Sequence, residues 1–192
     1  MHGPAGVIAA VVGALTDRLP GVTAAARERL DDDTIPDVTT VLGHEPDQVG
    51  VEWWPVVVVT AVGDRDWLPT ALDPLTGERL WTVKYQTRVT TWVRGDSYGD
   101  TTRFQHVLHT CVAEALMADV NVVEGMTVDD RSLASSMSEV ATTDAGRTIA
   151  GSRLDFAVVV EERIPLPPPV DEDAATVVDV VAPADTTVLP RH

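Results

Sequence analysis

Apolar residues recur at two different periods along this chain, and each change of period marks an element. Val7, Ile8, Val11, Val12, Leu15 and Leu19 fall at helical spacing and predict an N-terminal helix. Its opposite side carries Ala9, Ala10, Gly13 and Ala14, so a second surface, such as a neighbouring subunit, is expected there. Leu19-Pro20-Gly21 predicts a stop or kink, followed by a shorter helical stretch over residues 23–30. Asp31-Asp32-Asp33 and Ile35-Pro36-Asp37 predict a solvated polar loop. Val56 to Val59 are continuously apolar and β-branched, which predicts a strand covered on both faces, with Pro55 at its start. Turn chemistry at Leu68-Pro69 and again at residues 73–77 predicts a long hairpin connection over residues 63–79.

Period two is clearest at residues 81–94 (WTVKYQTRVTTWVR). Trp81, Val83, Tyr85, Val89 and Val93 point one way, and Lys84, Gln86, Arg88, Trp92 and Arg94 the other. This predicts one buried face and one polar, basic face. Helical spacing returns at residues 100–118, where Phe104, Val107, Leu108, Cys111, Val112, Ala115 and Leu116 form a stripe. Asp100 is the expected N-cap, and Cys111 is expected to be a buried, inert thiol. Residues 121–152 are rich in Ser, Thr, Asp and Gly and predict one short strand near 137–141, then a turn at 144–146. Residues 153–163 (RLDFAVVVEER) predict a closing strand with Leu154, Phe156, Val158 and Val160 toward the helix. The fold expected is α+β. It has a mixed, mainly antiparallel sheet of about four or five strands, an amphipathic helix across one face and an N-terminal helix.

From residue 164 the composition changes to a proline-rich, acidic segment without aromatic residues. The division expected is therefore a domain over residues 1–163 and an extended arm over 164–192. Val177 and Val178 in that arm are candidates for strand addition to an exposed sheet edge, including that of a neighbouring subunit.

Charge narrows the functional classes. The formal net charge of -16 opposes general binding to nucleic-acid phosphates. The basic face of strand 81–94 then needs carboxylate partners. These belong either to the same subunit or to an acidic surface on a neighbour. Lys84, Arg88, Trp92 and Arg94 are the candidate assembly residues. The single cysteine excludes an intramolecular disulfide and a cysteine-based zinc cage. The apolar run at residues 7–15 is too short to span a bilayer and lacks a basic segment before it, so no membrane partner is expected.

Residues 94–100 (RGDSYGD) contain the G-x-S-x-G pattern of a hydrolase nucleophile elbow, with Ser97 at its centre. A small serine hydrolase is the alternative from a different functional class. A triad needs a downstream acid and then a histidine. His106 and His109 lie on the helix that follows the elbow, and His192 ends the arm. The series of β-α units that a parallel hydrolase sheet requires is also lacking. Nothing else in the sequence calls for catalysis, a metal or a cofactor. The stretch reads as a strand-to-helix turn, with Gly95 and Gly99 permitting the bend.

The basic, aromatic strand VKYQTRVTTWVRG runs through a short polar turn into the helix DTTRFQHVLHTCVAEALMADV. Together with the element order over residues 7–163, this resembles the tail terminator proteins of long-tailed bacteriophages and the related tail-completion and head–tail connector subunits. The resemblance implies a non-enzymatic virion protein assembled in the host cytoplasm. It implies a homo-oligomeric ring, commonly of six subunits, that caps the tail tube and docks the head connector. Its partners would be the tail tube protein and the connector or stopper. DNA would pass through the ring without specific binding.

Overall fold

A computed structural model describes residues 3–46, 53–73, 75–143 and 146–164. The elements in chain order are α1 (Gly3–Leu30), β1 (Thr40–Leu42), β2 (Val56–Leu72), β3 (Arg79–Gly95), α2 (Tyr98–Met117), β4 (Asn121–Val123), β5 (Met126–Met137), β6 (Ala141–Thr142) and β7 (Thr148–Ile164). The fold is α+β, with a mainly antiparallel sheet ordered β1-β2-β3-β7-β5-β4 and β6 paired beside β5 on β7. Only β1 runs parallel to its neighbour. Among the described residues the sheet has seven strands, where the sequence suggests four or five. The extra strands β1, β4 and β6 are two or three residues long, too short to show a period.

Strand β3 is the spine of the molecule. It pairs with β2 on one side and with β7 along its whole length on the other. Its alternation is as read: Val83, Tyr85, Val89 and Val93 are buried in the core with Phe156, Val158 and Val160 of β7. Thr87 and Thr91 share that buried face. Helix α2 closes it with Leu108, Cys111, Val112, Ala115 and Leu116. Gln105, on the same stripe, donates both amide hydrogens to backbone carbonyls, of Gly151 at 2.7 Å and Ser138 at 2.9 Å. Its buried amide is thereby satisfied while it ties the helix to the sheet.

Helix α1 is continuous through Pro20, correcting the expected stop or kink. Proline removes one backbone donor and frees the carbonyl four residues before it. Here Thr16 and Pro20 are both exposed, which puts that carbonyl on the solvent side of the helix. The buried stripe Val7, Val11, Leu15, Leu19, Thr23 and Ala26 runs unbroken on the other side and keeps the helix packed. By length and composition this helix is apolar enough to cross a membrane, and here its apolar stripe lies in the core. Arg18 reaches across to the end of α2 and donates to the carbonyls of Asp119 at 2.7 Å, Asn121 at 3.1 Å and Ala115 at 3.3 Å. A cation here answers both the orphan carbonyls and the negative end of the helix dipole. At the other end, the Glu162 carboxylate accepts from Gly3 N at 2.9 Å and from the Tyr85 hydroxyl at 3.3 Å.

Three further expectations change. The loop after α1 is not wholly polar: Ile35 and Val38 are buried, and Arg27 holds the Ile35 carbonyl at 2.8 Å. Residues 63–79 are not a long connection. β2 runs on to Leu72 and turns back within residues 73–78. The Leu68-Pro69 turn signal marks a sheet irregularity instead, one of three register shifts along β2. Residues 121–152 hold β4, β5, β6 and the start of β7 where one strand near 137–141 is expected. The hidden one, β5, carries an irregularity between Asp129 and Ala134 that breaks its alternation. There the Ser132 hydroxyl accepts from Ala157 N at 2.7 Å, replacing the lost ladder bond.

Candidate assembly interface

Both helices cover one face of the sheet. The residues singled out on β3 emerge on the other. Lys84 is bound to Asp129 at 3.0 Å, and its ammonium group holds the Asp129 carboxyl below the usual aspartate range. Arg88 binds Asp155 of the facing strand through Nε at 2.7 Å. Arg153 binds the other oxygen of the same carboxylate through its own Nε at 3.0 Å. Two cations thus share one anion, and the trio carries one net positive charge. Within-chain pairing, one of the two expectations for this face, therefore accounts for Lys84 and partly for Arg88.

Trp92 stands opposite Gly151 in the β3–β7 register. A Cβ at Gly151 would lie 2.8 Å from the indole ring, so the absent side chain lets the ring lie down on the strand. The indole is still 37% exposed. It lines a groove of about 530 Å³ together with Val58, Arg88, Met137, Arg153 and, at the mouth, Glu45. Arg94 sits further along, in a smaller recess of about 280 Å³ with Gly95, Asp96, Gly146 and Arg147. Among the described residues Arg94 has no ion-pair partner. Val177 and Val178 lie outside the described residues. Of the six candidates, the structure therefore brings Arg88 and Trp92 to one groove, leaves Arg94 beside it, and sets Lys84 in a separate ion pair.

Arg153, Met137 and Gly151 complete the groove and are not legible from the sequence. They come from strands whose register against β3 fixes the site. A glycine facing a tryptophan has no local signature.

The turn at residues 94–100 is a helix entry. Ser97 is the N-cap of α2, not Asp100, which corrects the expected cap. The Ser97 hydroxyl accepts from Asp100 N at 3.1 Å and donates to the Asp100 carboxylate at 2.7 Å. The Ser97 side chain thus satisfies one of the free N–H groups of the first turn, and the Asp100 carboxylate holds the hydroxyl in place. Gly95 is the residue that the turn requires, because a Cβ there would lie 2.7 Å from the backbone nitrogen of Thr101. Gly99 already belongs to the helix and does not make the bend. His106 is nine residues along α2 from Ser97, roughly 13 Å by helical rise. His109, half-buried beside it, has its pKa lowered by burial and by the charge of His106. Burial pushes the Cys111 thiol up, away from the reactive thiolate. Among the described residues, no group of three or more His, Cys, Asp or Glu side chains is placed to hold a metal ion.

No protein-family model matches this chain, and no curated protein sequence matches it.

Proposed function

We propose that this chain is a structural subunit of a homo-oligomeric ring at the tail–head junction of a long-tailed bacteriophage, acting as a tail terminator or a closely related tail-completion subunit. The observation that carries this reading is the face of the sheet that neither described helix covers. Helices protect one side only, and the other presents Trp92, Met137 and two arginines around a groove. Tryptophan, methionine and arginine are the residue types most enriched at protein–protein interfaces, and buried aromatic anchors dominate their energetics. The reading also draws support from the order of elements behind the resemblance: a helix, a basic and aromatic strand, a tight turn and an amphipathic helix.

In such a ring the tail tube protein and the head connector bind opposite faces. The net charge of -16 keeps the lumen from holding DNA. An assembled ring whose carboxylates point away from the channel sinks that last element. The primary test is native mass spectrometry of the full chain, with negative-stain microscopy on the same sample. The expected result is a multi-subunit mass and annular particles. A strict monomer across the micromolar range refutes the proposal.

A further inference from the structure

We infer that the tip of the β2–β3 hairpin of one copy seats in the Trp92 groove of the next copy, making a head-to-tail contact. The inference rests on the assembly reading above and names the surfaces that carry it.

The hairpin is an apolar projection. Leu68 and Leu72 are each 55% exposed, and Leu75 at the turn is 94% exposed. The described residues of the turn are hydrogen-bonded to one another. Asp73 N donates to the Glu78 carbonyl at 2.8 Å, and the Asp73 carboxylate accepts from Leu75 N at 2.9 Å and Thr76 N at 3.3 Å. Those bonds lower the Asp73 pKa, and they hold Leu75 outward in one presentation. Lower down, Trp67 meets Trp81 edge-on at 6.3 Å, and the Arg79 guanidinium lies 5.9 Å from the centre of the Trp81 ring. A solvent-facing apolar tip is suited to insertion.

The contact runs through side chains. A partner strand added to the outer edge of β2 would meet three register shifts between residues 61 and 71 and a proline, Pro69, that offers no N–H. Bulges and prolines are how sheet edges are protected against pairing. The groove has what the tip lacks. Its volume of about 530 Å³ falls inside the range that takes an inserted group, about 300–1,000 Å³. Trp92 and Val58 are among its lining residues, and Arg88 and Arg153, which share the single carboxylate of Asp155, leave one positive charge to meet a hairpin that carries Asp66, Asp73 and Glu78 beside Arg65 and Arg79.

One copy cannot satisfy itself. Tip and groove sit at opposite ends of β3: Arg79 and Trp92 are thirteen residues apart on one strand. At about 3.3 Å per residue that is roughly 43 Å. β3 is paired with β7 over that whole distance, so the two ends cannot fold together. A contact between two different surfaces repeats from copy to copy, and closes into a ring when its rotation allows.

The test uses the full chain carrying Leu75→Cys and Met137→Cys. The native Cys111 is buried and stays out of the reaction. Mild oxidation is expected to give a disulfide-linked ladder that ends at the mass of the native assembly. Neither single variant should give more than traces. Dimers from Leu75→Cys alone, meaning tip against tip, or no ladder at all, overturn the inference. Leu75→Asp, at a site too exposed to affect folding, is expected to weaken assembly at least tenfold with an unchanged circular dichroism spectrum. An intact ring in that variant overturns this contact and leaves the ring standing, whereas a monomeric wild type removes both. A photo-crosslinking amino acid at Met137 that captures residues 165–192 instead of the hairpin also overturns it.

Discussion

Gly95→Ala and Gly99→Ala, four residues apart in one turn, are expected to change stability in opposite directions. At Gly95 an added methyl meets the backbone nitrogen and the side-chain oxygen of Thr101, each at 2.7 Å, and the Asp100 carbonyl carbon at 3.1 Å. Ordinary contact needs about 3.4–4 Å, so the first turn of α2 has to retreat by several tenths of an ångström. It is poorly placed to do so. Thr101 N is bonded to the Ser97 carbonyl at 3.0 Å, and the Thr101 hydroxyl lies 2.7 Å from that of Thr148, which donates to the Gly95 carbonyl at 3.0 Å. Overpacking of this kind costs about 1–3 kcal/mol. Taking about 2 kcal/mol, a protein of this size loses roughly 4–8 °C in Tm. At Gly99 the nearest atom to an added methyl is the Ser97 hydroxyl at 3.8 Å, an ordinary contact, and the residue is helical. Alanine there restricts the unfolded chain and favours the helix, a gain of about 0.4–1 kcal/mol. Urea unfolding of both variants, at one protein concentration so that assembly contributes equally, gives the two midpoints. Gly95→Ala matching the wild type, or Gly99→Ala falling below it, refutes the reasoning about the turn.

Three other outcomes follow from single residues. Thr23 is buried and its hydroxyl has no partner among the described residues, so Thr23→Val is expected to stabilise the protein by about 1 kcal/mol in the same urea assay. Arg18→Ala strips the end of α2 of a charged donor and is expected to cost about 1.5–3 kcal/mol; Arg18→Lys should recover only part of it, since one ammonium cannot reach three carbonyls. The folded-state pKa of His109 lies below the ordinary 6.5, so the unfolded chain takes up the proton first. Its contribution to stability is complete above pH 6.5 and is lost as the pH falls through the lower folded value. His109→Gln is expected to flatten the Tm profile between pH 7 and 5, and an unchanged profile counts against this account.

What was legible in the sequence followed from regular periods. β3 alternates strictly because one face is buried and the other wet, and α2 keeps a clean stripe because one side meets the sheet. The misreadings have physical causes of their own. Pro20 weakens its helix locally, but the chain places it on the wet side, and the buried stripe opposite holds the helix in place. β5 changes register beside Asp129, so no period-two window spans it. Leu68-Pro69 carries turn chemistry inside a strand because an edge tolerates what a central strand does not. The candidate site was half legible. Arg88 and Trp92 stood out by alternation, whereas Gly151, Arg153 and Met137 join them only through strand register, which is a long-range property.

The central position of β7 also has a consequence for how the chain is made. β7 is the last of the described strands to be synthesised, yet it covers one whole edge of β3. Between the emergence of Gly95 and that of Ile164 about seventy residues are added, which at roughly 5–20 residues per second takes about 4–14 s. Throughout that interval the nascent chain carries a seventeen-residue strand with one apolar face and a vacant edge. Lys84, Arg88 and Arg94, spaced along its other face, are charges of the kind that disfavour pairing of such a strand with a neighbouring polysome's product. The charges of the basic face thus serve the ribosome-bound chain first, and only afterwards the folded one.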